Sequence, residues 1–258
     1  MTALSRRTST AIAALATVTL MLSTPAHAAD IKVMASVAIK NAYLELQPAF
    51  EQATGNKVVT DWVPTVEMIA RLKGGEKVDL VLMASNNIDD LISQGKLVAG
   101  SKVDVVRSGI GVAIRKGAPR PDISSEQSLK ATLLAAKSVA YSTGPSGVYL
   151  TALFQRMGVA EAIKPKLKEI TGVPVAVLVA RGEAEIGFQQ VPEILPVPGI
   201  EFLGPLPPAV QYVTTFATAL HVEAQAPEAA RAWVKYLTAP GTATAVIKKH
   251  GLEQVTAR

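Results

Sequence analysis

The sequence predicts a two-lobed α/β protein, each lobe a mixed, mostly parallel sheet flanked by helices, the two joined by a two-strand hinge. Three observations lead there. From Ile31 onward short apolar runs alternate with amphipathic stretches, the pattern of successive βα units. Two passages are suited to carry the chain between lobes: the Gly/Pro-rich residues 116–121 on the way out, and the apolar strand at 212–221 on the way back. Cysteine is absent, so stability must come from buried apolar surface, and 258 residues can assemble one large or two modest cores. The expected division is residues 29–113 plus 217–258 for the first lobe and 114–216 for an inserted second lobe. Two crossings make a hinge, which suits closure around a ligand.

The first residues carry the three parts of a secretory signal. Arg6 and Arg7 supply positive charge, residues 11–22 form an apolar run too short to span a bilayer, and Ala26-His27-Ala28 is a small-x-small cleavage pattern. Cleavage is expected after Ala28, making residues 1–28 a signal peptide and the periplasm the destination. Thr8, Ser9 and Thr10 follow the arginine pair where twin-arginine export would want apolar residues, so the general secretory route is favoured. No later stretch is long and apolar enough to cross a membrane.

The net charge of +5 is spread along the chain rather than clustered, and aromatic residues make up only 5%, which argues against a nucleic-acid partner. His221 and His250 are the only histidines past the signal, too few for a His-based metal site. No phosphate-binding Gly-rich fingerprint and no nucleophile elbow is present. The expectation is therefore a monomer with no metal and no cofactor.

The elements follow in order. Ile31-Lys32-Val33-Met34-Ala35 reads as the first strand. Ser36 comes next, and apolar positions at Ile39, Tyr43, Leu46 and Phe50 keep a helical period up to Thr54-Gly55-Asn56. Residues 57–63 form a second strand, Pro64-Thr65 a turn and 66–73 a short helix. Val78-Asp79-Leu80-Val81-Leu82-Met83 is a buried strand, and residues 84–87 cap a helix through 94. Residues 107–115 are a further strand. A second βα series starts at Ser138-Val139-Ala140-Tyr141, with a loop over 142–147, a helix over 148–157, a short helix over 175–181 and a strand Ile186-Gly187-Phe188 ending at Gln189-Gln190. The proline-laden residues 191–208 carry the chain around the second lobe. Closing helices occupy 227–237, with Pro227 at the start as helices prefer, and 241–250.

In open α/β sheets ligands collect beyond the carboxyl ends of the strands, where helix N-termini offer free N–H groups and a positive dipole end. Three loops fit: Ala35-Ser36-Val37, Pro64-Thr65-Val66, and Thr143-Gly144-Pro145-Ser146-Gly147-Val148-Tyr149 in the other lobe. Each brings a hydroxyl, and the last brings glycines that let backbone approach a ligand. Any one of them alone reads as an ordinary helix cap. All three together point to a small anion held between the lobes.

The segments Val33-Met34-Ala35-Ser36, Asp79-Leu80-Val81-Leu82-Met83-Ala84-Ser85, Pro145-Ser146-Gly147-Val148-Tyr149 and Ala184-Glu185-Ile186-Gly187-Phe188, with the two closing helices ending in Lys-Lys-His-Gly, resemble the molybdate-binding proteins of bacterial ABC importers. The resemblance covers essentially the whole chain after the signal. It implies a type II periplasmic binding-protein fold, a permease in the inner membrane as partner, and a tetrahedral oxyanion held by neutral donors only. It further implies that Ser36 supplies a hydroxyl, that Thr65 lies near a second, and that Ser146 and Val173 supply backbone donors. Where that family reads Gly-Ile-Val-Tyr, this chain reads Gly187-Phe188-Gln189-Gln190, and its second, serine-rich loop becomes Trp62-Val63-Pro64-Thr65. Gln189 and Gln190 can donate amide hydrogen bonds to oxyanion or carboxylate oxygens. The candidate ligand-binding set is thus Ser36, Thr65, Ser85, Thr143, Gly144, Ser146, Gly147, Val148, Tyr149, Val173, Gln189 and Gln190.

Two functions stay open. One is a receptor that delivers an oxyanion or small carboxylate to an ABC permease. The other is an enzyme on the same scaffold, since chains of this type are similar to a periplasmic aconitate isomerase, which interconverts trans- and cis-aconitate. That chemistry needs a base within reach of an allylic carbon and cations for the carboxylates. Arg71, Arg115 and Arg181 are candidates for charge recognition. Tyr149 and Glu67, nearest the ligand loops, are the catalytic candidates, with Glu193 and His221 further proton carriers.

Overall fold

A computed structural model describes residues 28–255 of the chain. The secretory segment expected at residues 1–28 lies, apart from Ala28, outside the described residues. In order the elements are β1 (Asp30–Ala35), α1 (Lys40–Thr54), β2 (Lys57–Trp62), α2 (Thr65–Lys73), β3 (Leu80–Ala84), α3 (Ser85–Ser93), β4 (Val103–Arg115), α4 (Glu126–Ala135), β5 (Val139–Ser142), α5 (Pro145–Arg156), α6 (Ala160–Ile163), β6 (Leu167–Ile170), α7 (Val175–Ala180), β7 (Ile186–Gln190), α8 (Val191–Ile194), β8 (Ile200–Pro205), β9 (Val213–Leu220), α9 (Pro227–Thr238), α10 (Thr242–Lys249) and β10 (Glu253–Gln254). A 3-10 turn, Val37–Ile39, leads directly into α1.

The described strands form one mixed sheet in the order β2-β1-β3-β9-β4-β7-β5-β6, with β10 and β8 also paired to β4. β1 lies parallel to β2 and β3, and β5 parallel to β6 and β7. The central pairings of β9 and β4 are antiparallel. β4 is the spine. Its first part, Val103–Gly109, pairs with β9, and its last part, Ile110–Ile114, pairs with β7. At that change of partner a side chain stands in for a strand: Gln211 Oε1 accepts from the Ile110 N–H at 2.9 Å, and Gln211 Nε2 donates to the Ile110 carbonyl at 3.0 Å.

Alternation along the strands separates the cores. In β1 and β3, Ile31, Val33, Leu80 and Leu82 face α1 and α9, while Met34, Val81 and Met83 face α2 and α3. Both sheet faces are covered, which is why β3 is buried at every position. In the second half, Ile110, Val112, Val139, Ile186 and Phe188 face α4 and α5, whereas Ala140 packs against Val175 and Val179 of α7. Gly187 lies on that α7 face, and a Cβ there would sit 2.6 Å from Val179 Cγ2 and 2.9 Å from Val175 Cγ1, so the helix packs where only hydrogen fits.

The change of partner strand falls earlier in the chain than the expected crossover at residues 116–121. The chain changes sheet halves within β4 at Gly109–Ile110, not at residues 116–121. The latter stretch belongs to the second half, with the Lys116 N–H on the Gly199 carbonyl and Ala118 against the α4–α5 core. At Gly109 and Gly111 β4 admits close neighbours, the Gln211 amide and the Phe202 ring respectively.

One buried carboxylate ties the first half together. Asp79 accepts from the Lys32 N–H at 2.8 Å and from the Gln225 and Ala226 N–H groups at 2.6 and 2.7 Å, so it joins β1 to the head of α9 across the sequence. Asp79→Ala strands three N–H groups and is expected to cost about 3 kcal/mol or more. Thermal unfolding should then show a melting point lower by roughly 6–12 °C; an unchanged melting point would refute the tie.

Candidate functional site

A cleft of about 390 Å³ opens between the two sheet halves. On the first side it is lined by Ser36 and the 3-10 turn, Lys40 and Asn41 at the head of α1, Trp62 at the end of β2, and Pro64, Thr65 and Val66 at the start of α2. On the second side stand Ser142, Thr143, Gly144, Pro145 and Ser146 at the β5–α5 junction, the loop Gly172-Val173-Pro174 before α7, Gln189 of β7 and Glu193 of α8. α8 also packs against the 3-10 turn, which brings Glu193 and the segment after Ser36 to the same cleft.

The local structure at each wall follows from its sequence. Ser36 is 4% exposed, and its Oγ accepts from the Ala38 N–H at 3.4 Å, capping the 3-10 turn. Pro145 opens α5 with Gly144 as its extended cap residue, and no side chain satisfies that cap. At the start of α5 Pro145 has no N–H and the Gly147 N–H bonds the Gly144 carbonyl at 2.9 Å, which leaves the Ser146 N–H, and at α2 the first N–H groups, at the positive end of the dipole. Ser142 and Ser146 share a buried hydroxyl contact of 3.2 Å at the same junction.

Glu193 supplies the only acidic side chain of the cleft lining and Lys40 the only basic one. Glu193 Oε1 accepts from Gln189 Nε2 at 2.6 Å, while Gln189 Oε1 accepts from the Val175 N–H at 2.7 Å. The backbone bond uses up the amide oxygen of Gln189 and so turns its nitrogen toward Glu193. The Glu193 side chain is partly open to the cleft but walled by protein. This burial pushes its carboxyl up to about 8, and the Gln189 bond opposes the rise only in part. Such a group holds a proton near neutral pH and exchanges it readily, as a general acid or base must.

Of the residues nominated from the sequence, Ser36, Thr65, Thr143, Gly144, Ser146, Val173 and Gln189 are brought together in the cleft. Five are not. Ser85 begins α3 over β4, where its Oγ bonds Asp104 Oδ1 at 3.1 Å. Gly147 lies beneath the junction, against the Ser142 carbonyl, and Val148 faces outward. Tyr149 donates its hydroxyl to the Val210 carbonyl at 2.9 Å and stacks on Tyr212 at 4.8 Å between centroids. Gln190 is 1% exposed and points the other way from Gln189, as strand alternation requires. With its nitrogen toward Ser108 Oγ at 2.8 Å and its oxygen accepting from Thr214 Oγ1 at 2.9 Å, it ties β7 to β4 and β9.

The candidate charges also fall elsewhere. Glu67 is an exposed partner of Arg71, which is held by Asp61 and Glu76 at 2.6 Å each. Arg115 ends β4 on the exposed surface of the second half, and Arg181 is exposed beside Glu183. His221 is 3% exposed at the end of β9, its Nδ1 accepting from the Glu223 N–H at 3.1 Å, and burial lowers its pKa. No arginine lines the cleft. Sequence reasoning missed Lys40, Asn41 and Trp62. A lysine in the first turn after Ser36, with no acidic residue in that turn to pair with it, was the available sign.

Residues 31–253 match the family of bacterial extracellular solute-binding proteins. The chain belongs to that family. Within it, this solute-binding protein is 40% identical over 249 residues to an aconitate isomerase from Pseudomonas sp., a match covering 93% of this chain and 95% of the other. It is 27% identical over 179 residues to the molybdate-binding protein ModA of Azotobacter vinelandii, covering 67% of this chain and 69% of that protein. The solved Azotobacter vinelandii periplasmic molybdate-binding protein superposes with a TM-score of 0.72 at 19% identity, covering 88% of this chain and all of that one, which shows the shared fold. Lys40 and Glu193 are the titratable side chains on the lining of this cleft.

Proposed function

We propose that this solute-binding protein is an exported isomerase that interconverts trans- and cis-aconitate in the interlobe cleft. The observation that carries the reading is Glu193, a carboxyl pushed up to about 8 by burial on the lining of the cleft. The overall identity to an aconitate isomerase supports it. The reaction moves one proton. Glu193, ionised, takes a proton from the methylene carbon of the bound acid and leaves an allylic carbanion delocalised into the neighbouring carboxylates. Returning that proton to the vinylic carbon shifts the double bond, and Glu193 is ionised again. N–H groups at the starts of α2 and α5 stabilise the charge that develops on the carboxylate oxygens. In this reading the signal at residues 1–28 delivers the enzyme to the periplasm as a monomer.

The test is turnover. Purified protein lacking residues 1–28 is incubated with trans-aconitate from pH 6 to 9, and cis-aconitate is followed by chromatography. Accumulation of the cis acid to an equilibrium ratio reached from either side is expected; absence of turnover across the range overturns the reading.

One observation favours a second reading, a receptor feeding an ABC permease. The cleft walls other than Lys40 and Glu193 offer hydroxyls and helix starts, donors that suit a compact oxyanion, and ModA is a relative. It predicts a melting-point rise with molybdate and none with tricarboxylates.

A further inference from the structure

We propose that Lys40 determines substrate class in this cleft by binding a carboxylate of an extended polycarboxylate, so that the ligand spans from the head of α1 to the β5–α5 junction. The inference rests on the polycarboxylate reading above and names the residue that sets it.

Lys40 stands at the first position of α1, close behind the 3-10 turn, where the helix dipole disfavours a cation. Neither the turn nor the first turn of α1 contains an acidic residue that would compensate. Among the described residues no carboxylate lies within ion-pair distance of its ammonium. It is exposed to solvent and lines the cleft that Glu193 also lines, and no ion pair joins the two. A lysine on the cleft lining that makes no ion pair within the protein is available to meet a ligand's carboxylate. Helix starts without it hold a compact anion by N–H groups and hydroxyls alone. A lysine set apart from the β5–α5 junction adds a second, separate anchoring point, which only a ligand with more than one anionic group uses. Anchoring both ends leaves the carbon skeleton between them, facing Glu193.

The experiment uses isothermal calorimetry with tricarballylate, an unreactive saturated tricarboxylate, on the protein lacking residues 1–28, as wild type, K40Q and K40R. K40Q is expected to bind about tenfold more weakly or worse, the scale of one charge-assisted contact, and K40R to recover part of that loss. The ligand-free melting points should agree, because Lys40 makes no contact that holds the fold. Affinity of K40Q within threefold of wild type overturns the proposal. Wild type that binds molybdate and not tricarballylate also overturns it. If trans-aconitate is not turned over but K40Q still loses tricarballylate, the isomerase reading fails and Lys40 keeps its role; turnover with K40Q binding intact gives the reverse.

Discussion

Glu193→Gln is expected to lower kcat for aconitate isomerisation by about 10²–10⁴-fold, the usual contribution of a positioned base, while the protein still binds aconitate. Glutamine keeps the shape and can still bond Gln189, but it cannot accept a proton from carbon. The pH dependence gives an independent reading. Turnover begins from the ionised carboxylate, so the wild-type rate should climb with pH and level off above about 8, the value to which burial moves Glu193. Stability runs the opposite way. Below its ordinary value of 4.5 the group is protonated in both folded and unfolded chains; between there and about 8 only the folded chain holds the proton. Raising the pH through that window therefore destabilises the fold, and the slope should disappear in Glu193→Gln. Kinetic profiles and melting curves from pH 4 to 9 check both. A variant that keeps wild-type kcat would remove Glu193 from the mechanism.

Gly147→Ala is expected to be the most damaging single substitution in the second lobe, costing more than about 4 kcal/mol. A Cβ at Gly147 would lie 1.6 Å from the Ser142 carbonyl oxygen and 2.8 Å from its carbon, and both are backbone atoms held in the β5–α5 junction. Side chains cannot swing aside to relieve such a clash. The helix must lift off the strand, and with it go Ser142, Thr143, Gly144 and Ser146 from the cleft wall. Gly144→Ala is the matched control, because a Cβ there meets only the Ser142 hydroxyl at 3.6 Å. Soluble yield and chemical unfolding of the two variants decide the matter: comparable stability would mean the junction is not built as described.

Much of this site could be read without the fold. The hydroxyl or glycine at each helix start, the period of Tyr43, Leu46 and Phe50, and Pro145 ahead of α5 are local features, and local chemistry places them correctly. Other elements hide. β6 reads Leu-Lys-Glu-Ile and has exposed residues at its centre, so it lacks the apolar signal of a buried strand. β8 sits inside a proline-laden stretch that looks like a loop, and it is a strand because β4 offers it an edge. α4 begins with a Ser125–Ser128 capping box that was there to be read and was passed over.

The alternation of strand and helix and the helix starts that line the cleft were legible in the sequence, because each depends on neighbours a few residues away, and the absence of disulfides follows from a chain without cysteine. Which of two adjacent glutamines lines the cleft was decided by the tertiary structure alone. Alternation puts Gln189 and Gln190 on opposite faces, but the face that matters is the one α7 covers, and that is set by the Gly187 contact with Val175 and Val179. The same holds for the charges. Lys40 and Glu193 are distant along the chain and share a cleft because α8 packs against the 3-10 turn, a contact between lobes that no local pattern encodes.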